Sequence, residues 1–111
     1  MNIYTPDNWV VLKIKPSEGV NPFFKVLAGW RGGYLDGDSW RINSGISRVE
    51  QPGDGWNLFY GASGSCYECH ENHYGLRMTT NSIYNQLREK QLFEGQITLM
   101  PENTDWLSLD Y

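Results

Sequence analysis

Cys66-Tyr67-Glu68-Cys69-His70, followed by His73, gathers two thiols and two imidazoles within eight residues. Three chemistries use such a set. A Cys-x-x-Cys-His string is the attachment site of c-type haem, with the histidine as axial ligand. Haem attachment belongs to an exported, oxidising compartment and to a mostly helical chain, and neither is read here. Zinc is the second use. Cys66, Cys69, His70 and His73 supply up to four donors, but structural zinc sites usually draw two ligand pairs from separate segments. A strand also sends Cys66 and Cys69 to opposite faces. A cysteine nucleophile is the third, and it needs a base together with a group that orients the base. His70 and His73 are near, but no orienting group is evident. The expectation is two small buried thiols in a strand and two surface histidines beside a loop, with no cofactor. A structural zinc site on these four residues stays open as the alternative.

A second set lies at residues 30–41, Trp-Arg-Gly-Gly-Tyr-Leu-Asp-Gly-Asp-Ser-Trp-Arg. Aromatic faces stack on a nucleobase, arginine grips phosphate through two parallel hydrogen bonds, and glycine lets backbone amides approach closely. Trp30, Arg31, Tyr34, Trp40 and Arg41 are therefore candidate ligand-binding residues, with Arg48 and Arg77 as further cations if the fold brings them near. The competing expectation is a hairpin with Trp30 and Trp40 in the core and Arg31 and Arg41 outside. No Gly-x-Ser-x-Gly, Walker lysine loop or His-Glu-x-x-His string occurs. Asp36 and Asp38 flank a glycine, but the other oxygen ligands of a calcium loop are missing. No catalytic residue is assigned, and the chain is read as a non-enzyme.

The elements that must position these residues are mostly strands. Turn signals recur at Pro16-Ser17-Glu18-Gly19, Gly32-Gly33, Asn43-Ser44-Gly45, Pro52-Gly53-Asp54-Gly55 and Gly61-Ala62-Ser63-Gly64. Aromatic and β-branched runs lie between them, the pattern of antiparallel structure. Strands are expected over 9–15, 23–30, 39–43, 46–51, 56–60 and 65–69. The first reads as half-buried, with Val10, Leu12 and Ile14 on its apolar side. The 52–55 turn predicts a tight hairpin. The spacing of Ile83, Tyr84 and Leu87, without Gly or Pro from 81 to 93, predicts a helix capped by Thr79, Thr80 or Asn81 and stopped at Gly95. Residues 96–100 read as a returning strand and 106–109 as a weak last one. The expected fold is α+β and mostly antiparallel, a curled sheet or partly open barrel of about six to seven strands with one α-helix near residues 81–93. All 111 residues form a single domain.

Charge and composition exclude several classes. The chain has 9 basic and 13 acidic residues, a net charge of −4. Residues 1–92 are balanced, and Glu94, Glu102, Asp105 and Asp110 carry the excess. Duplex nucleic acid needs a basic surface and is not an expected partner. The longest apolar run, Trp9-Val10-Val11-Leu12, is too short to span a membrane. The opening residues have no basic and apolar signal regions, so a reducing cytoplasm is expected.

Residues 27–45, Leu-Ala-Gly-Trp-Arg-Gly-Gly-Tyr-Leu-Asp-Gly-Asp-Ser-Trp-Arg-Ile-Asn-Ser-Gly, resemble small uncharacterised proteins encoded by tailed bacteriophages. The resemblance continues through Phe59-Tyr60-Gly61 and Ser63-Gly64-Ser65. It implies a viral protein acting in the host cytoplasm, and it transfers no site residues. Small acidic phage proteins that are not enzymes often act on the host by binding. The expected function is thus a non-enzymatic anti-defence protein that sequesters a small nucleotide-type signalling ligand. A homo-oligomer is expected, because a shallow site gains depth at a subunit interface. The alternatives are an inhibitor that binds a host defence protein directly, through an edge strand or the acidic end, and the structural zinc protein.

Overall fold

The computed structural model describes residues 1–16, 19–32, 38–90 and 96–111, with Lys90 as backbone. Its strands are β1 (Ile3–Tyr4), β2 (Asn8–Lys15), β3 (Phe23–Trp30), β4 (Ser39–Ile42), β5 (Ile46–Gly53), β6 (Trp56–Gly61), β7 (Cys66–His70) and β8 (Gln96–Leu99). A 3-10 turn over Glu71–His73 precedes the helix α1 (Met78–Lys90). The mostly antiparallel α+β architecture expected from the sequence is the one observed. The strands fall in two four-stranded sheets, β1-β7-β6-β5 and β4-β3-β2-β8, not closed into a barrel. All pairings are antiparallel except β1 with β7.

Alternation along β2 and β3 builds two cores. Trp9, Val11, Phe24, Val26 and Ala28 face the other sheet and meet Ile46, Phe59, Tyr67 and Cys69. Val10, Leu12 and Leu27 face the opposite way, onto Leu87, Ile83 and Tyr84 of α1. The molecule is thus layered as outer sheet, central sheet and helix. This corrects the half-buried reading of β2: Val11 is as fully buried as Leu12, because each face has its own cover. Trp56, Leu58 and Tyr60 share the outer face of β6, and Asn57 and Phe59 point inward.

The chain crosses between sheets at Asn43. Its N–H donates to the Val26 carbonyl at 3.0 Å, and its side-chain Oδ1 accepts from the Val26 N–H at 2.8 Å. An amide side chain thus replaces the next backbone carbonyl, freeing the main chain to turn into β5. The expected tight hairpin after β5 is a two-residue loop: Gly53 pairs with Trp56, and Asp54 and Gly55 both have positive φ, 57° and 83°. Positive φ at both loop residues matches the right-handed twist of the flanking strands, and Asp-Gly tolerates it.

The helix begins three residues earlier than the spacing of its apolar stripe predicted. Thr80 lies in its first turn, where its hydroxyl accepts from the Arg77 N–H at 2.9 Å and donates to Asn8 Oδ1 at 2.9 Å. The expected stop at Gly95 lies outside the described residues. Gly29 of β3 sits beneath this first turn. A Cβ there would stand 2.6 Å from Thr80 Cγ2 and 2.8 Å from Asn8 Oδ1. Gly29→Ala is therefore expected to cost about 1–3 kcal/mol through overpacking. Urea unfolding should show a lowered midpoint; an unchanged midpoint would mean that the helix end is not seated there.

The weak strand expected at 106–109 is absent. Thr104 and Ser108 donate their N–H groups back to Pro101 and Asp105, so this segment forms turns. Trp106 is instead inserted between the sheets.

Two phenols, Tyr67 buried and Tyr74 half-buried, link stability to alkaline pH. Burial raises Tyr67 and Tyr74 from 10.0 to about 12. The Tyr74 hydroxyl donates to the Met100 carbonyl and accepts from the Val11 N–H. The folded state favours the neutral phenol, so its stabilisation is intact below pH 10 and is lost as pH rises through about 12. Denaturant midpoints should hold from neutral pH to 10 and then fall steeply. A midpoint independent of pH up to 12 would contradict the burial of both rings.

Candidate functional site

A concavity of about 500 Å³ opens where β2, β3, β4 and α1 begin or end. Asp7 precedes β2 and Asn8 starts it. Arg31 follows β3, Asp38 precedes β4, His73 ends the 3-10 turn, and Arg77 and Met78 open α1. Each side chain sits at the end of an element, which fixes its position; Asn8 is buried beneath the others, and Asp7, Arg31, Asp38, His73, Arg77 and Met78 are exposed.

The carboxylates of this cleft are engaged by its backbone. Asp7 Oδ2 accepts from the Arg31 N–H at 2.7 Å. Asp38 Oδ1 accepts from the Gly32 N–H at 3.0 Å, and its Oδ2 accepts from the Thr79 hydroxyl at 3.4 Å. Asn8 Oδ1 is taken by Thr80. The guanidiniums differ: among the described residues, neither Arg31 nor Arg77 makes a side-chain hydrogen bond or ion pair. The cleft therefore offers two open cationic forks beside two carboxylates already turned toward N–H and O–H donors.

Of the residues singled out in the sequence, Arg31 and Arg77 come together here. Tyr34 lies outside the described residues. Trp30 serves the sandwich edge: its indole N–H donates to the Thr5 carbonyl at 3.0 Å, and its ring meets Tyr4 edge-on at 6.2 Å. Trp40 is not in the core; it pairs with Gly29 on the helix side of the sheet and is 44% exposed. Arg41 faces the other way and lines a separate recess with Tyr4, stacked 4.5 Å over that ring. Arg48 lines neither. It lies 3.8 Å over Tyr60 on the outer sheet and pairs with Glu50. Strand parity separates Trp40 from Arg41, since neighbouring residues on β4 point to opposite faces, and Arg48 belongs to β5 of the other sheet. Asp7 and Asn8 went unnoticed as site residues, although Thr5-Pro6-Asp7-Asn8 is a turn signal just before the first long strand, and Asp38 was weighed only as part of a calcium loop.

The cysteine–histidine string is dispersed. Tyr67 and Cys69 face the sandwich core, and Cys66 alternates away from them. His70 Nδ1 accepts from the Asn72 N–H at 3.1 Å, which leaves Nε2 as donor to the Asp54 carbonyl at 2.8 Å. Its ring caps the 3-10 turn, 5.6 Å from that of His73. Among the described residues, no three His, Cys, Asp or Glu side chains are placed to hold one metal ion. Burial pushes both thiols up, Cys69 well above its ordinary value, so the thiolates a nucleophile or metal site needs are disfavoured. Among the described residues, no helix is long and apolar enough to cross a membrane.

No family model matches the chain, and no curated protein or solved structure does either.

Proposed function

We propose that this chain is a non-catalytic binding protein that captures a small phosphate-bearing ligand of the nucleotide type in the cleft of Arg31 and Arg77. The observation that carries this is the pair of guanidiniums without carboxylate partners on one concavity whose own carboxylates are already engaged. A guanidinium fork matches phosphate geometry. Asp7 and Asp38 keep acceptor capacity for ligand hydroxyls, as an acidic residue does for ribose. The cleft's volume falls in the range of small-molecule sites. Trp40, exposed and two residues from Asp38, supplies a face for stacking a base.

The burial of both thiols supports a binding role over a catalytic one. Together with the phage resemblance of residues 27–45, this reading makes the protein a sequestering agent that lowers the free concentration of a host defence signal. Such a role suits a viral protein in the host cytoplasm, with a second copy deepening the open cleft. Calorimetry with a panel of linear and cyclic nucleotides tests it. At least one member should give saturable heat that Arg31→Ala removes. No heat for any member, together with a host protein co-purifying in stoichiometric amount, would favour direct inhibition instead.

A further inference from the structure

We infer that the recess around Arg41 is a second anion-binding subsite, and that one elongated ligand with an anionic group at each end fills both. This rests on the proposal that the Arg31 cleft binds phosphate. The second recess, about 310 Å³, is lined by Asn2, Tyr4, Arg41, Ser63, Gly64 and Ser65. Among the described residues, no carboxylate lines it. Among the described residues, Arg41 has no hydrogen bond or ion pair, and its stacking on Tyr4 holds the guanidinium in place. The Ser44 hydroxyl donates to Ser63 Oγ at 3.1 Å, which leaves the Ser63 proton free to donate outward. The Ser65 hydroxyl has no partner among the described residues. The recess is thus a set of donors around one fixed cation.

The two sites are lined by neighbouring positions of the same two segments. Asp7 lines the first and Tyr4 the second, three residues apart on one segment. Asp38 lines the first and Arg41 the second, again three residues apart. Three residues of extended chain span at most about 11 Å. The segments lie side by side: Arg41 stacks on Tyr4, Asp7 and Asp38 accept from the successive amides of Arg31 and Gly32, and the Trp30 indole holds Thr5 between them. A ligand with two phosphate groups on a flexible spacer is therefore inferred to bridge the two recesses, the second contact then being intramolecular.

The test compares hexyl phosphate with hexane-1,6-diyl bisphosphate, followed by backbone amide NMR on the whole protein. The bisphosphate is expected to bind at least ten times more tightly, shifting amides at both sites. Arg41→Ala and, separately, Ser65→Ala should reduce that gain, Arg41→Ala to about one, while hexyl phosphate still binds beside Arg31. Unchanged melting temperatures would show that both variants fold. Equal affinities in the parent protein, or a gain that survives Arg41→Ala, would overturn the second subsite and leave the first cleft standing. If neither compound shifts the Arg31 cleft, the reading of that cleft falls, and this inference with it.

Discussion

Trp106→Ala is expected to remove about 3–5 kcal/mol of folding stability, the range for deleting a buried indole. Trp106 lies in a segment of turns and contributes no strand, yet its ring is packed 5.8 Å from those of Trp9, Phe59 and Tyr74. Trp9 and Tyr74 belong to the central sheet and its flank, and Phe59 belongs to the outer sheet. One side chain therefore joins the two layers. Its segment is tied back by Tyr111, whose hydroxyl donates to the Trp106 carbonyl at 2.6 Å and whose ring packs 5.6 Å from Phe24. The neighbour Leu107 is 57% exposed, so Leu107→Ala should change stability by no more than about 0.5 kcal/mol. Denaturant unfolding of the two variants checks the contrast. Equal, small effects would mean that the carboxyl segment does not close the sandwich.

Arg31→Ala and Arg77→Ala should each weaken phosphate-ligand binding by about ten- to a hundredfold. A hydrogen bond to a charged group contributes about 1.5–3 kcal/mol, and each 1.4 kcal/mol is a factor of ten. The double variant should lose less than the product of the two, because both forks address one anionic group. Neither change should lower the melting temperature appreciably, since both side chains are exposed and lack intramolecular partners among the described residues. Arg48→Ala serves as control: its guanidinium pairs with Glu50 on the outer sheet and lines neither concavity, and binding in the Arg31 cleft should be unchanged. Calorimetric titration of the four variants with the best ligand of the nucleotide panel reads all of this.

Local pattern made much of the fold legible. Residues 23–30 alternate cleanly between turn signals, and β3 spans those residues. The opposite facing of Cys66 and Cys69 was readable, because residues three apart on a strand point to opposite sides, while the zinc alternative needed a turn that the strand does not make. What stayed hidden was non-local. β1 is two residues that pair parallel with β7 more than sixty positions away, and Ile3-Tyr4 carries no run long enough to announce it. The division into two sheets depends on Asn43 substituting its side chain for a carbonyl, which no hydropathy pattern encodes. The site was half legible. Arg31 stood out by composition, but its partner Arg77 is joined to it through the seating of α1 on Gly29, a contact between distant segments. Arg41 was grouped with Arg31 because they flank one turn; pairing with Ala28 places Arg41 on the outer-sheet side, against Tyr4.

Amide chemical-shift mapping with adenosine monophosphate tests the central claim most directly. The shifts should saturate and centre on Asp7, Asn8, Arg31, Gly32 and residues 77–80, and Arg31→Ala should weaken the binding they report by about ten- to a hundredfold. Saturable shifts centred on the outer face of β5 and β6, or none at any concentration reached, would contradict a phosphate-binding cleft at the end of the sandwich.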